Sequence, residues 1–277
     1  MERSSHEELI KYPGSKWAIA DWIIQYFPEH HTYLEPFFGS GAVFFRKSRS
    51  HIETINDLDG EVVNFFEQVK HNLENLCREI YFTPYARDEH ERAYRENPED
   101  KLRRAVNFCI RLNMGHGFRT NGEKVGWKRD VQGRERAYAA ENWKSLPQRL
   151  TETAERLRGV QIENRPAIEL IQDFNYKTAL IYCDPPYLLE TRSQKQYAKE
   201  MTDQDHKDLL EVLRNHKGYA IISGYESELY DDILHGWHKK ETVSRTQSGE
   251  KKKEVLWMNF KPEGQQISMF ELPGVMP

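Results

Sequence analysis

Apolar residues recur at helical spacing near the start of the chain and at strand spacing soon afterwards. Between residues 14 and 27 the apolar positions with helical spacing are Trp17, Ile19, Ala20, Ile23, Ile24 and Phe27. They predict an amphipathic helix that ends at Pro28. Residues 30–47 then predict a short strand, a glycine-rich turn and the start of a helix, and residues 51–60 predict a second strand that ends in acids. This order is typical of an α/β sheet.

The pattern changes between about Glu61 and Leu157, where no strand alternation is present. Charged helical stretches at 61–80 and 100–112 enclose a segment at 115–134 that is rich in Gly, Arg and Asn. Strand and helix patterns then alternate again, at residues 160–164, 167–174, 178–183, 204–216, 218–223, 241–245 and 254–260. The last two segments predict a hairpin. The chain is therefore expected to form an α/β sheet domain that a helical insertion interrupts.

We place the sheet domain at residues 1–66 and 157–277, and the insertion at residues 67–156. The 277 residues are 38% hydrophobic and 30% charged, and the mean hydropathy of −0.83 is typical of a soluble globular protein. The longest apolar runs are strand-sized, and the N-terminal segment lacks the apolar core of a signal peptide. We therefore expect a cytoplasmic protein without a membrane partner.

The cysteine and histidine positions give little support to a metal site. Cys77, Cys109 and Cys183 stand far apart, without a CxxC pair or a histidine at ligand spacing. The eleven histidines show no HExxH motif. We expect no disulfide framework and no bound metal, and the cysteines to be buried apolar side chains.

The net charge of −4 argues weakly against a nucleic-acid partner, but the charge is unevenly distributed. Residues 119–136 contain six basic residues and only three acids. The basic residues are Arg119, Lys124, Lys128, Arg129, Arg134 and Arg136. Phe118, Trp127, Asn121 and Gln132 are interleaved with them. Such a segment can be a solvated loop, and it is also typical of an element that reads bases and binds phosphates.

A glycine-rich turn at residues 35–41, with the sequence EPFFGSG, follows a predicted strand and opens a helix. Small residues at such a turn let a ligand approach the backbone amides. A nicotinamide cofactor is disfavoured because the GxGxxG pattern is absent. Asp57 follows at the end of the next strand, where its carboxylate can accept both ribose hydroxyls of an adenosine-containing ligand. Alternatively, Asp57 or Asp59 caps the helix that starts near Gly60.

The most specific motif is Asp184-Pro185-Pro186-Tyr187, directly after the apolar strand 179–183. An exocyclic amine of a nucleobase is a poor nucleophile because its lone pair is delocalised into the ring. A site that methylates it must accept its N–H hydrogens, and Asp184 and the rigidly held Pro185 carbonyl can each accept one. Tyr187 offers a flat face for a flipped base. The alternative is an acidic strand end with a Pro-Pro turn and a buried tyrosine.

Taken together, these motifs resemble the Dam-type family of DNA adenine methyltransferases, in the same order over most of the chain. The matching segments are KYPGSK at 11–16, EPFFGSG at 35–41, IND at 55–57, RRAVNFCIRLN at 103–113, CDPPY at 183–187 and KKKEVLWMNFKP at 251–262. The resemblance implies a Rossmann-like S-adenosylmethionine-dependent methyltransferase sheet with an inserted, mostly helical target-recognition domain. It also implies methyl transfer from S-adenosyl-L-methionine to the N6 amino group of adenine in double-stranded DNA, at specific sites.

Carried over to this sequence, the resemblance implies a set of cofactor-binding residues: Tyr12, Lys16, Glu35, Phe37, Gly39, Gly41, Asp57 and Asp184. Tyr12 and Lys16 would reach the cofactor from the N-terminal helix, with Lys16 near its methionine carboxylate. Without the family, Lys16 would be a surface lysine and Tyr12 a packing residue. The catalytic residues would be Asp184, Pro185 and Tyr187.

The segment MGHGFRTNGEKVGWKRD at 114–130 departs from that of family members that read GATC. Arg119 and Asn121 are candidates for base-edge contacts, because Arg pairs well with guanine and Asn with adenine in the major groove. Lys124, Lys128 and Arg129 are expected to bind phosphates. Two other hypotheses stay open: methylation of the cytosine amino group, and a DNA-binding regulator without catalysis.

The C-terminal tail contains Gln266-Ile267-Ser268-Met269-Phe270. This pentapeptide resembles those with which bacterial DNA-processing proteins bind the replication sliding clamp. A tail that packs on its own domain, or stays disordered, is the alternative. We expect a monomer that acts on one strand at a time.

Overall fold

The structure is a computed structural model that describes residues 7–117, 119–129, 138–192, 195–245 and 251–262. Arg134, Arg136 and the tail segment Gln266–Phe270 lie outside the described residues.

A seven-stranded sheet forms the centre of the described chain. Its strands are β1 (Thr32–Glu35), β2 (Ile52–Asn56), β3 (Gln161–Glu163), β4 (Ala179–Cys183), β5 (Tyr219–Tyr225), β6 (His238–Arg245) and β7 (Lys251–Met258). Their order across the sheet is β3-β2-β1-β4-β5-β7-β6. The first five strands are parallel, whereas β7 runs antiparallel to both β5 and β6. The predicted α/β class and the closing hairpin are confirmed.

Ten α-helices and one short 3₁₀ turn, Leu189–Thr191, accompany the sheet within the described ranges. The helices are α1 (Ala20–Ile24), α2 (Ala42–Arg46), α3 (Gly60–His71), α4 (Leu73–Phe82), α5 (Arg87–Arg95), α6 (Lys101–Met114), α7 (Tyr138–Arg156), α8 (Ala167–Asp173), α9 (Asp203–Arg214) and α10 (Glu228–Ile233). None of the helices among the described residues is long and apolar enough to cross a membrane.

The prediction of one helix over residues 14–27 is wrong in length, because α1 covers Ala20–Ile24. On its N-terminal side Gly14 has φ +68, and Ile19 donates a three-residue turn bond to the Lys16 carbonyl. No side chain caps the helix start at Ile19. The apolar positions are nevertheless used, since Ile23 is fully buried and its neighbours pack against the same core.

Local capping explains where the longer helices begin. The Asp59 carboxylate accepts a hydrogen bond from the Glu61 amide at the start of α3, and Asp100 does the same for Arg103 in α6. Thr202 and Asp205 form a reciprocal capping box at the start of α9. These polar residues fix the helix starts that the apolar period alone leaves undefined.

Five helices, α3 to α7, separate β2 from β3 in the chain. Helix α3 packs against α4, α6 and α7, and its buried residues share one apolar core with those of α6, α7 and the strands. A second core on the sheet joins β4 and β5 to α8, α9 and α10. The helical segment between β2 and β3 is thus packed on the sheet, and α3 runs through residue 67, where the predicted insertion begins.

Candidate active site

A pocket lies where the carboxyl ends of β1, β2 and β4 meet. In the sheet, β2 is the neighbour of β1 in one direction and β4 is its neighbour in the other, so the strand order reverses at β1. Ligands of open α/β sheets bind at the carboxyl ends of the strands where the order reverses. The residues that line the pocket include Tyr12, Lys16, Glu35, Phe37, Gly39, Asp57, Leu58, Asp184, Pro186 and Tyr197. Seven of these are predicted cofactor-binding residues. The other three residues predicted to bind the cofactor or to act in catalysis, Gly41, Pro185 and Tyr187, are next to lining residues in the chain.

The glycine turn brings backbone to the pocket. Gly39 has φ +49 and Gly41 has φ +69, so both adopt the left-handed conformation that side chains disfavour. A Cβ atom on Gly39 would lie 2.9 Å from Cδ1 of Tyr12, and one on Gly41 would lie 2.5 Å from Cζ of Phe38. Gly41 is also the N-cap residue of α2. The turn therefore requires glycine for two reasons, its backbone conformation and the close approach of aromatic rings.

Asp57 faces the glycine turn across the pocket. Its carboxylate accepts hydrogen bonds from the amides of Gly39 at 2.8 Å and Asp59 at 2.9 Å. Burial raises the pKa of Asp57 to about 7, against the effect of these two hydrogen bonds. The helix-cap alternative applies to Asp59, which caps α3, and not to Asp57. The Asp57 carboxylate lies at the pocket wall, where it can accept hydrogen bonds from the hydroxyl groups of a ligand.

Glu35, at the end of β1, is 2% exposed and accepts a hydrogen bond from the Tyr33 hydroxyl at 2.6 Å. Burial raises the pKa of Glu35 to about 8, so this side chain is mostly protonated at neutral pH. Phe37 is half-buried at the other side of the turn. The exposed Leu58 adds a second apolar side chain to the lining.

Both carboxylate oxygens of Asp184 are hydrogen-bonded to the protein. Oδ2 lies 2.9 Å from Nζ of Lys16, and Oδ1 accepts a hydrogen bond of 2.8 Å from the Ser223 hydroxyl. Lys16 is 6% exposed, and it precedes α1 rather than lying in the helix predicted there. Burial opposes the positive charge of Lys16, but the carboxylates of Asp184 and Glu254 outweigh burial and raise its pKa. Lys16 is thus a buried cation beside Asp184, and the surface-lysine alternative is wrong.

Tyr187 is held at both its ring and its hydroxyl. The hydroxyl donates a short hydrogen bond to Oε1 of Glu254, and the ring meets that of Tyr225 edge-on at 4.6 Å. The Lys16 ammonium lies 4.7 Å from the Tyr187 ring centre. Pro185 is buried, whereas Pro186 lines the pocket. The turn Asp184–Tyr187 therefore presents Asp184 to the pocket and fixes Tyr187 next to it.

A loop at residues 195–201, here called the Tyr197 loop, closes one side of the pocket. The Tyr197 and Tyr12 ring centres are 6.1 Å apart, so Tyr12 packs while it lines the pocket. Glu200 accepts hydrogen bonds from the amides of Gln196 and Tyr197 and forms a two-pronged ion pair with Arg192. Arg192 also donates to the Tyr187 carbonyl at 2.7 Å. Arg192 thereby links the Tyr197 loop to the backbone of Tyr187.

The predicted DNA-binding residues lie in segment 119–129, which contacts the Tyr197 loop. The Thr120 amide donates to the Gln196 carbonyl at 2.8 Å, and the Asn121 side-chain amide donates to the Lys195 carbonyl at 3.2 Å. Arg119 pairs with Glu123 and lines a second cleft, which shares Asp59 with the main pocket. The segment thus contacts the loop that closes one side of the pocket.

The three expected phosphate-binding residues lie further along this segment. Nζ of Lys124 is 3.9 Å from Glu91, and the Lys128 backbone is anchored to Met114 and Tyr85. Arg129 is exposed. The structure brings these three residues into one segment beside Arg119 and Asn121 but leaves them outside the pocket itself.

Ser223 and Glu254 reach the site although sequence reasoning did not select them. Both lie within strands, on β5 and β7, and both are buried. The signal that could have indicated Glu254 is an acid directly before the apolar residues 255–258 of a predicted strand, because a charged side chain that such a strand buries needs a partner. Ser223 gives no comparable signal. Tyr197 stands in the polar segment 192–200, where no helix or strand pattern indicated a contact with the site.

The residues of the pocket fit S-adenosylmethionine. Asp57 provides a carboxylate for ribose hydroxyls, the Gly39 turn leaves space that a Cβ atom would fill, and Phe37 and Leu58 provide apolar contacts. Within the described residues, no three His, Cys, Asp or Glu side chains are placed to bind a metal ion. Cys109 and Cys183 are buried free thiols, and Cys77 is partly buried.

Comparison with known proteins matches most of the chain to one family. Residues 12–246 match the family described as D12 class N6 adenine-specific DNA methyltransferase. A DNA adenine methylase of Haemophilus influenzae is 26% identical over 274 residues, which cover 90% of this chain and 91% of that protein. A type II methyltransferase of Lactococcus lactis subsp. cremoris is 24% identical over 279 residues, covering 91% and 95%. A DNA N-6-adenine-methyltransferase of Escherichia phage P1 is 29% identical over 109 residues, 37% of this chain, and the chain spans 14% of its length.

Proposed function

Because this chain belongs to the D12 class of N6 adenine-specific DNA methyltransferases, we propose that its pocket binds S-adenosylmethionine and that Asp184, Pro185 and Tyr187 hold the target adenine beside it. The reaction of the family is methyl transfer to the N6 amino group of adenine in DNA. The observation that carries the residue assignment is the meeting of Asp57, the glycine turn and Asp184 in one pocket.

Binding of the cofactor is assigned to the side of the pocket between the glycine turn and Asp57. Asp57 accepts the ribose hydroxyls, Gly39 and Gly41 allow close approach of the backbone, and Phe37 contacts apolar parts of the molecule. Tyr12, Lys16 and Glu35 complete the set, with Lys16 nearest to Asp184. When bound, S-adenosylmethionine supplies an electrophilic methyl group on a sulfonium.

Asp184 prepares the adenine amine for attack. Its carboxylate accepts one N6 hydrogen and the Pro185 carbonyl accepts the other, which turns the nitrogen lone pair out of the ring plane. The Tyr187 ring stacks on the flipped base. Lys16 and Ser223 each bind one oxygen of Asp184 and so fix the carboxylate. Each oxygen has a second lone pair, which can accept a hydrogen bond from the adenine amine. No metal and no covalent enzyme intermediate enter this mechanism.

Recognition of double-stranded DNA is assigned to the helical segment 67–156, as a target-recognition domain inserted into a catalytic domain of residues 1–66 and 157–277. Arg119 and Asn121 read base edges, and Lys124, Lys128 and Arg129 bind phosphates. Contacts of Thr120 and Asn121 with the Tyr197 loop support this proposal, because that loop closes one side of the pocket.

The wider context follows from the DNA substrate. We propose that the protein acts as a monomer in the cytoplasm, where its substrate is present, with Gln266–Phe270 as a binding segment for the sliding clamp. Pull-down of the chain by a clamp, compared with that of Phe270→Ala, tests the last point. Equal retention of both proteins would contradict it.

The residue assignment is tested by transfer of labelled methyl to unmethylated duplex DNA, with the product identified by nucleoside mass spectrometry. Asp184→Ala should lower the rate by about a hundredfold or more, because a positioned acceptor is lost. Asp208→Ala is the matched control, since Asp208 is exposed on α9 and hydrogen-bonds to Gln204. Full activity of Asp184→Ala would contradict the role of the carboxylate, and methylcytosine as product would contradict the adenine acceptor.

A further inference from the structure

Glu254 is a buried carboxylate that contacts two residues of the proposed site. It lies on β7, opposite Tyr225 of β5, and is 3% exposed. Its Oε1 accepts a hydrogen bond from the Tyr187 hydroxyl and lies 3.6 Å from the Lys16 ammonium. The same ammonium lies 2.9 Å from Asp184. Glu254 is thus linked to the base-stacking residue directly and to Asp184 through Lys16.

Packing does not account for a carboxylate at this position. The residues that follow it on β7, Val255 to Met258, are apolar and buried. A buried charge destabilises a protein unless it is paired and hydrogen-bonded, so an apolar residue would serve the strand better. The contacts with Tyr187 and Lys16 join Glu254 to residues of the site, which points to a role in the reaction.

The charges of the cluster have a consequence for catalysis. Asp184 and Glu254 carry two negative charges against one positive charge on Lys16, and Glu35 is mostly neutral because burial raises its pKa to about 8. The cluster is therefore negative overall. The adenine amine becomes positively charged as it attacks the methyl group, and a fixed negative charge in a buried site stabilises that developing charge.

We propose that Glu254 is a positioning residue for methyl transfer: it holds the Tyr187 ring through its hydroxyl and shares Lys16 with Asp184. This inference rests on the proposed function. The Lys16 ammonium lies 2.9 Å from Asp184 and 3.6 Å from Glu254, so Glu254 shares the cation that binds the Asp184 carboxylate and helps to fix its position. The Tyr187 ring is fixed before the base arrives, so no ordering is required at that moment.

The test compares Glu254→Gln with wild type in single-turnover methyl transfer at saturating S-adenosylmethionine and DNA. Glutamine keeps the shape and an acceptor oxygen for Tyr187 but removes the charge. We expect the transfer rate to fall by about tenfold or more, as for loss of a charged hydrogen bond. The dissociation constant of S-adenosylmethionine should change by no more than about twofold, because Glu254 lies outside the pocket lining. Glu241→Gln, an exposed glutamate on β6, is the matched control.

A second variant keeps the test decisive if Glu254→Gln folds poorly. Tyr187→Phe retains the Glu254 charge and removes the hydroxyl contact, so it should slow transfer while leaving cofactor binding intact. In the double variant the loss should be smaller than the product of the two single losses, because Glu254→Gln weakens, and Tyr187→Phe removes, the same charged hydrogen bond between Tyr187 and Glu254. Fully multiplicative losses, or a Glu254→Gln rate within about twofold of wild type, would overturn the inference.

Failure of the proposed function gives a different result. In that case wild type transfers no methyl group to adenine, or Asp184→Ala remains fully active, whatever the Glu254 variants do. A Glu254→Gln protein that loses cofactor affinity and transfer rate to the same extent would assign Glu254 to the cofactor site and overturn the positioning role.

Discussion

Gly39 shows how one residue can shape a binding site through what it lacks. Its φ of +49 and the 2.9 Å approach of Tyr12 both exclude a side chain. We expect Gly39→Ala to weaken S-adenosylmethionine binding by about tenfold or more, because overpacking at this site costs on the order of 1–3 kcal/mol. Equilibrium binding of the cofactor, measured by calorimetry, checks this.

Gly159→Ala is the matched control for Gly39→Ala. Gly159 has φ +80, but a Cβ atom there would have no neighbour within 4 Å. Both variants carry backbone strain of about 1–2 kcal/mol, so both should unfold at a somewhat lower temperature. Only Gly39→Ala should lose cofactor affinity. Equal cofactor affinity in the two variants would show that the Tyr12 contact does not matter for binding.

The pKa of Asp57 predicts how cofactor binding depends on pH. Burial raises this pKa from 3.8 to about 7, with a smaller contribution from the Asp59 charge. The free folded protein therefore holds a proton that the unfolded chain releases near pH 4. The contribution of this group to stability is complete below that pH and is lost as the pH rises through 7.

Ribose hydroxyls bind best to the ionised carboxylate, so cofactor binding should release the proton from Asp57. We expect affinity to rise by about tenfold between pH 6 and pH 8, as linkage for a pKa near 7 requires. Asp57→Asn should bind weakly at every pH and lose this dependence. Glu35→Gln should retain it, and if that variant abolished the dependence instead, Glu35 would be the titrating group.

Much of the site at the residue level could be predicted from the sequence because its residues follow strands. Asp57 and Asp184 stand directly after β2 and β4, so the carboxyl edge of the sheet brings them together. Ser223 and Glu254 lie within strands, and their roles depend on which strands become neighbours. The placement of β7 next to β5 is a long-range choice that no local pattern determines.

The segment 119–129 is the element on which DNA binding is expected to depend. A plot of log affinity against log salt concentration has a negative slope. Arg129→Ala should make that slope less steep by about 0.9, the value for loss of one phosphate contact. Lys177→Ala is the control, because Lys177 is exposed just before β4, at the opposite end of that strand from Asp184. Equal slopes for wild type and Arg129→Ala would remove Arg129 from the interface.

Arg119→Ala should have another effect, since Arg119 is assigned to a base edge. We expect it to reduce discrimination between cognate and altered sites by about 1–3 kcal/mol, measured with a set of single base-pair changes. Arg119 pairs with Glu123 in the free protein, so DNA must replace that partner. Uniform weakening on all sequences would indicate a phosphate contact.

Strands were easier to predict than helices at the level of elements. Five-residue apolar runs such as Ala179–Cys183 are buried on both faces, and their pattern leaves little choice. The apolar period at 14–27 continues through turns on both sides of α1, since packing on the core needs apolar residues there whether or not the backbone is helical. Period alone does not show where a helix begins.

At the scale of the whole molecule, a buried ion cluster ties the helical segment to the sheet. Glu53 of β2 pairs with Arg156 of α7 through both carboxylate oxygens, at 2.5 and 2.8 Å, and with Lys47 at 2.5 Å. The Arg156 guanidinium also stacks on Phe44 at 3.8 Å. Burial opposes the charge of Glu53, but both cations together hold its pKa below the usual range.

Because α7 is anchored to β2 in this way, the helical segment and the sheet should unfold together. Arg156→Ala leaves Glu53 buried with one partner fewer, which should lower the free energy of unfolding by about 3 kcal/mol or more. Arg158→Ala, two residues away, removes an exposed pair with Glu155 and should change it by less than about 1 kcal/mol. Denaturant unfolding followed by circular dichroism measures both. Equal effects of the two variants would contradict the anchoring role of Arg156. A second unfolding transition in Arg156→Ala would show that the helices are stable apart from the sheet.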